Sequence, residues 1–293
     1  VYVRSINEYI DAINNNNEVL IADYFYDEFL KYIKENNTAN KLNEMFYNFC
    51  IATNKIKDGD ILASISFLEK EAFESENKDA YYFLGCIYKY SGKIRDYKKA
   101  FNYLEIAIEY GSLISLYELG EMYYKGKGVN QSYEEAVKLF QKAADNNDAI
   151  AQNDLGNIYY KAQLYEMAAM WYQKAADNNY TDAQYNLGMM YYHGKGVAQS
   201  NKKAINLLTL AADNNYIDAQ YILGLMYYNG KDVTQSYVEA TKWFIKAADN
   251  NYAQAQYNLG LMFYNGIGVT QSYDKAFKWY QKAAYNNNAE NLV

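Results

Sequence analysis

The sequence predicts an all-α fold, an α/α superhelical solenoid of tandem helix-turn-helix repeats. Three observations carry this prediction. The pair Leu-Gly recurs with its glycine at 85, 120, 156, 188, 224 and 260, in steps of 35, 36, 32, 36 and 36 residues, and periods of roughly 20–50 residues mark repeat architectures. Within each unit the apolar residues recur at helical rather than strand spacing. Proline is absent from all 293 residues, so no helix is kinked by its ring.

Taken in chain order, residues 1–40 hold two amphipathic stretches, 3–13 and 19–35, separated by Asn14-Asn15-Asn16-Asn17. They are expected to form an N-terminal helical cap, because an end repeat must shield an apolar face that has no neighbour. Residues 41–78 are expected to form a degenerate repeat. Its first helix would cover 41–56 and its second 61–74, with Leu68 and Ala72 at the positions that later units fill with Trp or Leu and with Ala. From 79 to 293 follow six clearer units and, at Asn286-Asn287-Asn288-Ala289-Glu290, the truncated start of a further helix.

The unit around Gly224 shows the logic most fully. In its first helix Leu223, Met226 and Tyr227 share one face at i, i+3, i+4 spacing, and Gly224 lets another helix approach closely. In its second, Ala240, Trp243, Phe244, Ala247 and Ala248 do the same, small residues alternating with large. Ser132, Ser200, Ser236 and Ser272 fall where an N-cap is needed, and Ser132 with Glu135 and Ser236 with Glu239 fit a capping box. Asp-Asn-Asn closes the second helix at 145–147, 177–179, 213–215 and 249–251, while the first unit carries Gly111 where the others have their last Asn. Gly or Asn is what a left-handed C-cap demands.

The pattern Leu-Gly-x-Met-Tyr-Tyr-x-Gly-x-Gly-Val followed by Ala-x-x-Trp-x-x-Lys-Ala-Ala resembles the Sel1-like repeat, a relative of the tetratricopeptide repeat. It covers six units from about Asp79 to Ala284. Two departures stand out. Asn130, Ala198, Thr234 and Thr270 occupy the position where the family usually has Pro, and the unit from Leu155 to Tyr180 lacks four loop residues and the Gly-x-Gly. The resemblance implies a scaffold that binds protein or peptide, without enzymatic activity, as family members do that act as adaptors in membrane-associated complexes, secretion or quality control.

Composition narrows the partners. With 51% hydrophobic and 22% charged residues the chain lies far from the disordered class, and a net charge of −7 argues against nucleic acid as a partner. No apolar run approaches the ~20 residues that cross a bilayer, so direct membrane insertion is not expected. The two cysteines, Cys50 and Cys86, stand in apolar helical contexts and are read as buried thiols rather than a bridge. The chain opens on Val1, as a mature chain or an excised fragment would, which leaves the compartment open.

Catalytic and ligand-binding motifs resolve into structural ones. Gly126-Lys127-Gly128, Gly194-Lys195-Gly196 and Gly266-Ile267-Gly268 lack the preceding strand of a phosphate-binding loop and are read as turns, with Asp232 replacing the second Gly in the fourth. The Asp-Asn-Asn clusters are too short to cage calcium. His193 is the only histidine, which removes mechanisms needing two and leaves no ordinary zinc set. No cofactor is expected.

If the first helices line the groove as in tetratricopeptide proteins, two tyrosine ladders face inward. One is Tyr82, Tyr117, Asn153, Tyr185, Tyr221 and Tyr257; the other is Lys89, Tyr124, Tyr160, Tyr192, Tyr228 and Tyr264. Identical residues hold repeats together as readily as they bind ligands, so selectivity belongs to columns that vary. One runs Cys86, Glu121, Asn157, Met189, Leu225, Leu261; the next runs Tyr90, Lys125, Lys161, His193, Asn229, Asn265. The candidate peptide site is therefore Tyr185, Met189, Tyr192, His193, Tyr221, Leu225, Tyr228, Tyr257, Leu261 and Tyr264. A second reading makes the chain the sensor or docking domain of a larger protein with its effector elsewhere; a third, hydrolase activity, finds no nucleophile paired with a base.

Overall fold

The computed structural model describes residues 61–90, 94–230 and 233–290. The expected cap at 1–40, the first helix of the degenerate repeat, Cys50 and Asp232 lie outside them. The described residues form thirteen helices and no strand. The chain divides into two compact units, Val1–Asn146 and Asn147–Val293.

The first unit contains α1 (Ile61–Ser75), α2 (Lys78–Tyr90), α3 (Tyr97–Glu109), α4 (Ile114–Lys125) and α5 (Tyr133–Asp145). Leu68 and Ala72 of α1 are buried against α2, as a worn second helix requires. The second unit contains α6 (Ala149–Lys161), α7 (Tyr165–Asp177), α8 (Thr181–His193), α9 (Asn201–Asp213), α10 (Ile217–Asn229), α11 (Tyr237–Asp249), α12 (Ala253–Asn265) and α13 (Tyr273–Glu290). In both units helices alternate as first and second members of a pair, an all-α solenoid architecture.

Within a pair the Leu-Gly glycine sets the approach. A Cβ on Gly224 would lie 2.5 Å from the Phe244 ring, and one on Gly156 2.5 Å from the Tyr172 ring. Leu223 and Phe244 are fully buried behind that contact. Trp243, one residue before Phe244, packs against a cluster that α9 and α10 share, built around Leu208 and Leu223. Phe244 thus joins α11 to its own first helix, while Trp243 covers a cluster that reaches back to α9.

A buried glutamine column ties successive pairs. Gln220 and Gln256 donate their side-chain amides to the carbonyls of Ala212 and Ala248, at 3.0 and 2.9 Å, which end the preceding second helix. Gln152 and Gln256 accept from the amides of Asn178 and Asn286, at 3.0 and 2.9 Å. Terminal carbonyls that a helix leaves unpaired are satisfied by the next pair.

Turns follow the predicted chemistry with two corrections. Asn147, Asn179, Asn215 and Asn251 have φ of 60 to 65°, and Gly111 has φ 85°, so the last Asn does occupy the left-handed position. Ser132 and Ser236 accept from the N–H of Glu135 and Glu239 at 3.2 and 3.3 Å. The reciprocal half of the capping box does not form: the serine N–H groups donate instead to the carbonyls of Tyr123 and Tyr227 in the first helix, which frees Glu135 and Glu239 to pair with Lys138 and Lys242. The second correction concerns Asn286-Asn287-Asn288. They do not open a further helix but are the last turns of α13. In earlier units Tyr180, Tyr216 and Tyr252 close the turn by donating to Ala175, Ala211 and Ala247.

The Gly-x-Gly turns also have a tertiary reason. A Cβ at Gly128, Gly196 or Gly268 would fall 2.2 to 2.4 Å from the backbone carbonyl group of Tyr97, Tyr165 or Tyr237. The space a phosphate would need is filled by the start of the preceding second helix.

Candidate functional site

Residue by residue, the tyrosine ladders serve first to join helices. Tyr185 stacks on Tyr216 with ring centres 4.7 Å apart, and Tyr221 lies 4.9 Å from Tyr252; each partner opens the next first helix. Tyr160, Tyr228 and Tyr264 meet the tyrosine that opens their own second helix, Tyr165, Tyr237 and Tyr273, edge to face at 5.2 to 5.3 Å. Such aromatic pairs contribute about 0.5–1.5 kcal/mol beyond area burial. Tyr192 has no such partner, since Asn201 stands in that column, and its ring rests on His193 at 5.0 Å.

Along one stripe of α8, Tyr185, Met189 and Tyr192 are half-buried against the cluster of α9 and α10. Tyr221, Leu225 and Tyr228 of α10 sit in the same way against α11 and α12. The third set, Tyr257, Leu261 and Tyr264 of α12, is more open, at 52, 36 and 52% exposure. His193 is exposed at the end of α8. The ten sequence-selected residues therefore lie on first helices in register, with packing edges turned inward and part of each surface toward solvent.

The variable column changes character along the second unit. On α6 Asn157 accepts a 2.8 Å hydrogen bond from the Tyr172 hydroxyl and donates to Asp154, while Asn153 accepts from Asn186 of α8. These polar groups satisfy one another. Met189, Leu225 and Leu261 have no such chemistry and offer only apolar contact.

In the first unit the same columns make an ion network. Lys89, in a column otherwise tyrosine, is 4% exposed, with its ammonium 2.5 Å from Glu118 and 2.7 Å from Glu121, and Glu121 also pairs with Lys125. Tyr90 donates to Glu118 at 2.7 Å. Burial works to lower the Lys89 pKa, but the two carboxylates overcome it and hold it above the ordinary lysine range. Burial likewise works to raise the Glu121 carboxyl, and the Lys89 charge with hydrogen bonds from both lysines holds it down to about 2. Cys86, at the head of the variable column, is fully buried. Here the columns are committed to internal packing.

Sequence reasoning passed over a second set on α8 and α10. Tyr180, Tyr216 and Tyr252 precede first helices, and Asp182 and Asp218 lie two residues after the first two of them. Tyr252 donates to Asp218 at 3.0 Å. Burial chiefly, and then the charges of Asp182 and Asp218, push the Tyr216 hydroxyl well above the usual phenol range. Desolvation pushes the Asp182 carboxyl up. The signal was present as Tyr-x-Asp-Ala-Gln-Tyr, which occurs at 180–185 and 216–221.

Among the described residues no group of three or more His, Cys, Asp and Glu side chains is arranged to hold a metal ion, and no helix is long and apolar enough to cross a membrane.

Comparison with known proteins agrees with this geometry. The chain is similar to the solved structure of c5321, a protective antigen present in uropathogenic Escherichia coli strains with an SLR fold. The TM-score is 0.73 at 23% identity, covering 94% of this chain and 64% of that one. The chain thus spans less than two thirds of that antigen. It is also similar to a Sel1 repeat protein from Oxalobacter formigenes, with TM-score 0.68 and 27% identity over 80% of this chain and 98% of that one. No curated protein matches the chain. The Sel1 repeat model matches six successive segments, 78–112, 113–148, 149–180, 181–216, 217–252 and 253–288. Their lengths reproduce the spacing of the Leu-Gly pairs, including the short third unit, and the chain belongs to the Sel1 repeat family.

Proposed function

We propose that this chain is an interaction scaffold that binds a peptide segment of another protein along the first helices of residues 147–293. Sel1 repeat proteins are generally protein-interaction scaffolds, which supports the class of function. The observation that carries the placement is the run of Met189, Leu225 and Leu261: a column that varies between units, turns apolar, and retains accessible surface beside half-buried tyrosines. Large amphipathic tyrosine rings are enriched among interaction hot spots.

The test replaces the anchor. Leu225→Asp with Leu261→Asp is expected to weaken capture of the native partner by tenfold or more, roughly the 1.4 kcal/mol or greater that a lost hot spot costs. Because Leu225 is half-buried, Leu225→Ala with Leu261→Ala is measured beside it, with thermal melts of both. Unchanged partner capture by folded variants would remove this face from the binding site.

A further inference from the structure

We infer that the face presented by α8, α10 and α12 takes a peptide segment in which an arginine or lysine lies a few positions from an apolar residue, the cationic group seated between Asp182 and Asp218 against the tyrosine rings. The inference rests on the peptide-binding reading above and deepens it by naming the chemistry of the ligand.

Charge complementarity carries it. The three helices hold two carboxylates, Asp182 and Asp218, and not one Lys or Arg. The described ion pairs of this unit, Lys242 with Glu239 and Lys246 with Asp213, lie on second helices. Lysines of this unit are drawn onto rings, Lys174 over Trp171, Lys246 over Trp243 and Lys282 over Trp279 on second helices at 4.0 to 4.5 Å, and Lys195 and Lys203 over Tyr160 and Tyr191 of first helices at 5.3 and 4.8 Å, so cations do seat on tyrosine faces here. Asp182 and Asp218 have no cationic partner among the described residues. Asp182 reaches solvent, although the surrounding protein partly desolvates its carboxyl.

Local helix chemistry does not account for the two acids. A carboxylate in the first turn favours the helix dipole, yet α6 and α12 form over the same 13 residues with Ile150 and Gln254 in that position. The residues beside the acids also vary. Tyr180 and Tyr216 stand two residues before Asp182 and Asp218, whereas Tyr252 stands before Gln254 and, in the same columns of the first repeat, Asn77 stands before Asp79. The Tyr185–Tyr216 and Tyr221–Tyr252 pairs place aromatic walls beside Asp218, which accepts from Tyr252. A planar guanidinium suits such a place, since it forks onto carboxylates and stacks on rings.

Geometry fixes the spacing. Asp182 and Met189 are seven residues apart on α8, as Asp218 and Leu225 are on α10, which is about 10 Å along a helix axis. An extended peptide rises about 3.3 Å per residue, so where it runs parallel to one of these helices its basic and apolar side chains should stand about three positions apart.

The experiment pans a random peptide display library against the full chain, then measures the best peptides by fluorescence anisotropy. The expected result is enrichment of Arg or Lys about three positions from an apolar residue. Asp182→Asn with Asp218→Asn, isosteric and checked by thermal melt, should weaken binding about tenfold. Replacing the peptide arginine with citrulline should do the same, and added salt should weaken only the charged peptide. Enrichment of neutral or acidic peptides, or affinity indifferent to the asparagine variants, would overturn the cation site. The peptide-binding reading would still stand in that case if the Leu225 and Leu261 variants lost binding. Failure to enrich any peptide would overturn both.

Discussion

At the scale of single residues, glycine shows how little chemistry is needed to set a repeat. Adding a methyl group to a helical glycine gains about 1 kcal/mol of helix propensity, whereas overpacking a core contact costs about 1–3 kcal/mol. The sign of Gly→Ala therefore depends on what the new methyl meets. At Gly224 it meets the Phe244 ring at 2.5 Å, and Phe244 is 1% exposed and cannot swing aside. At Gly188 it meets Leu208 at 3.1 Å, a contact that a few tenths of an ångström relieves. Gly224→Ala is expected to destabilise the chain by about 1–2 kcal/mol and Gly188→Ala to stay within about 0.5 kcal/mol of the parent, in urea or thermal unfolding. Equal effects would mean that the ring contact does not govern the approach. Lys89 makes the complementary point: among tyrosines it looked like one more groove residue, and only its pairing with Glu118 and Glu121 shows why a charge stands there.

At the scale of elements, the helix boundaries come from a few terminal residues. The left-handed Asn at 147, 179, 215 and 251 stops each second helix, and Gly111 performs the same task in the first repeat. Replacing Asn251, at φ 65°, with Ala is expected to cost about 1 kcal/mol, because a Cβ-bearing residue without a short polar side chain is strained there. Asn251→Gly is expected to lie within a few tenths of the parent. Thermal melts of the two variants check the pair; an Ala variant as stable as the Gly variant would sink the account. The end of α13 shows the converse, since without a tyrosine at 288 the same asparagines continue as helix. Boundaries thus depend on the capping residue and on the apolar contact that follows it.

For the whole molecule, the abundance of tyrosine has a consequence in alkali. Burial chiefly, reinforced by nearby carboxylates or tyrosines, pushes the hydroxyls of Tyr103, Tyr172, Tyr180, Tyr216 and Tyr252 above the ordinary value of 10.0. The folded chain therefore keeps protons that the unfolded chain releases as pH passes 10.0, and stability must fall as pH rises beyond that point. Lys89 acts in the same direction, its contribution being complete below 10.5 and lost as pH rises through its raised folded value. Melting temperature is expected to decline above pH 10.0 together with cooperative growth of tyrosinate absorbance. Gradual tyrosinate formation without loss of helix would show that these hydroxyls ionise in place.

How much of this was legible in the sequence differs between fold and site for one physical reason. Helix periodicity, N-cap serines, left-handed asparagines and the close-contact glycines act over a few neighbouring residues and repeat six times, so the chain states its all-α repeat fold openly. Tyr185 and Tyr221 could likewise be placed on first helices, but whether they bind a ligand or join repeats depends on Tyr216 and Tyr252, more than thirty residues away. The capping boxes failed in half for the same cause, because Tyr123 and Tyr227 of the first helix claim the serine N–H groups. Asp182 and Asp218 look like ordinary helix-start acids until folding stacks Tyr216, at the start of α10, on Tyr185 of α8. Local pattern decided which helices form and where they stop. Only tertiary packing decided which of their side chains are already satisfied, because those contacts join residues more than thirty positions apart.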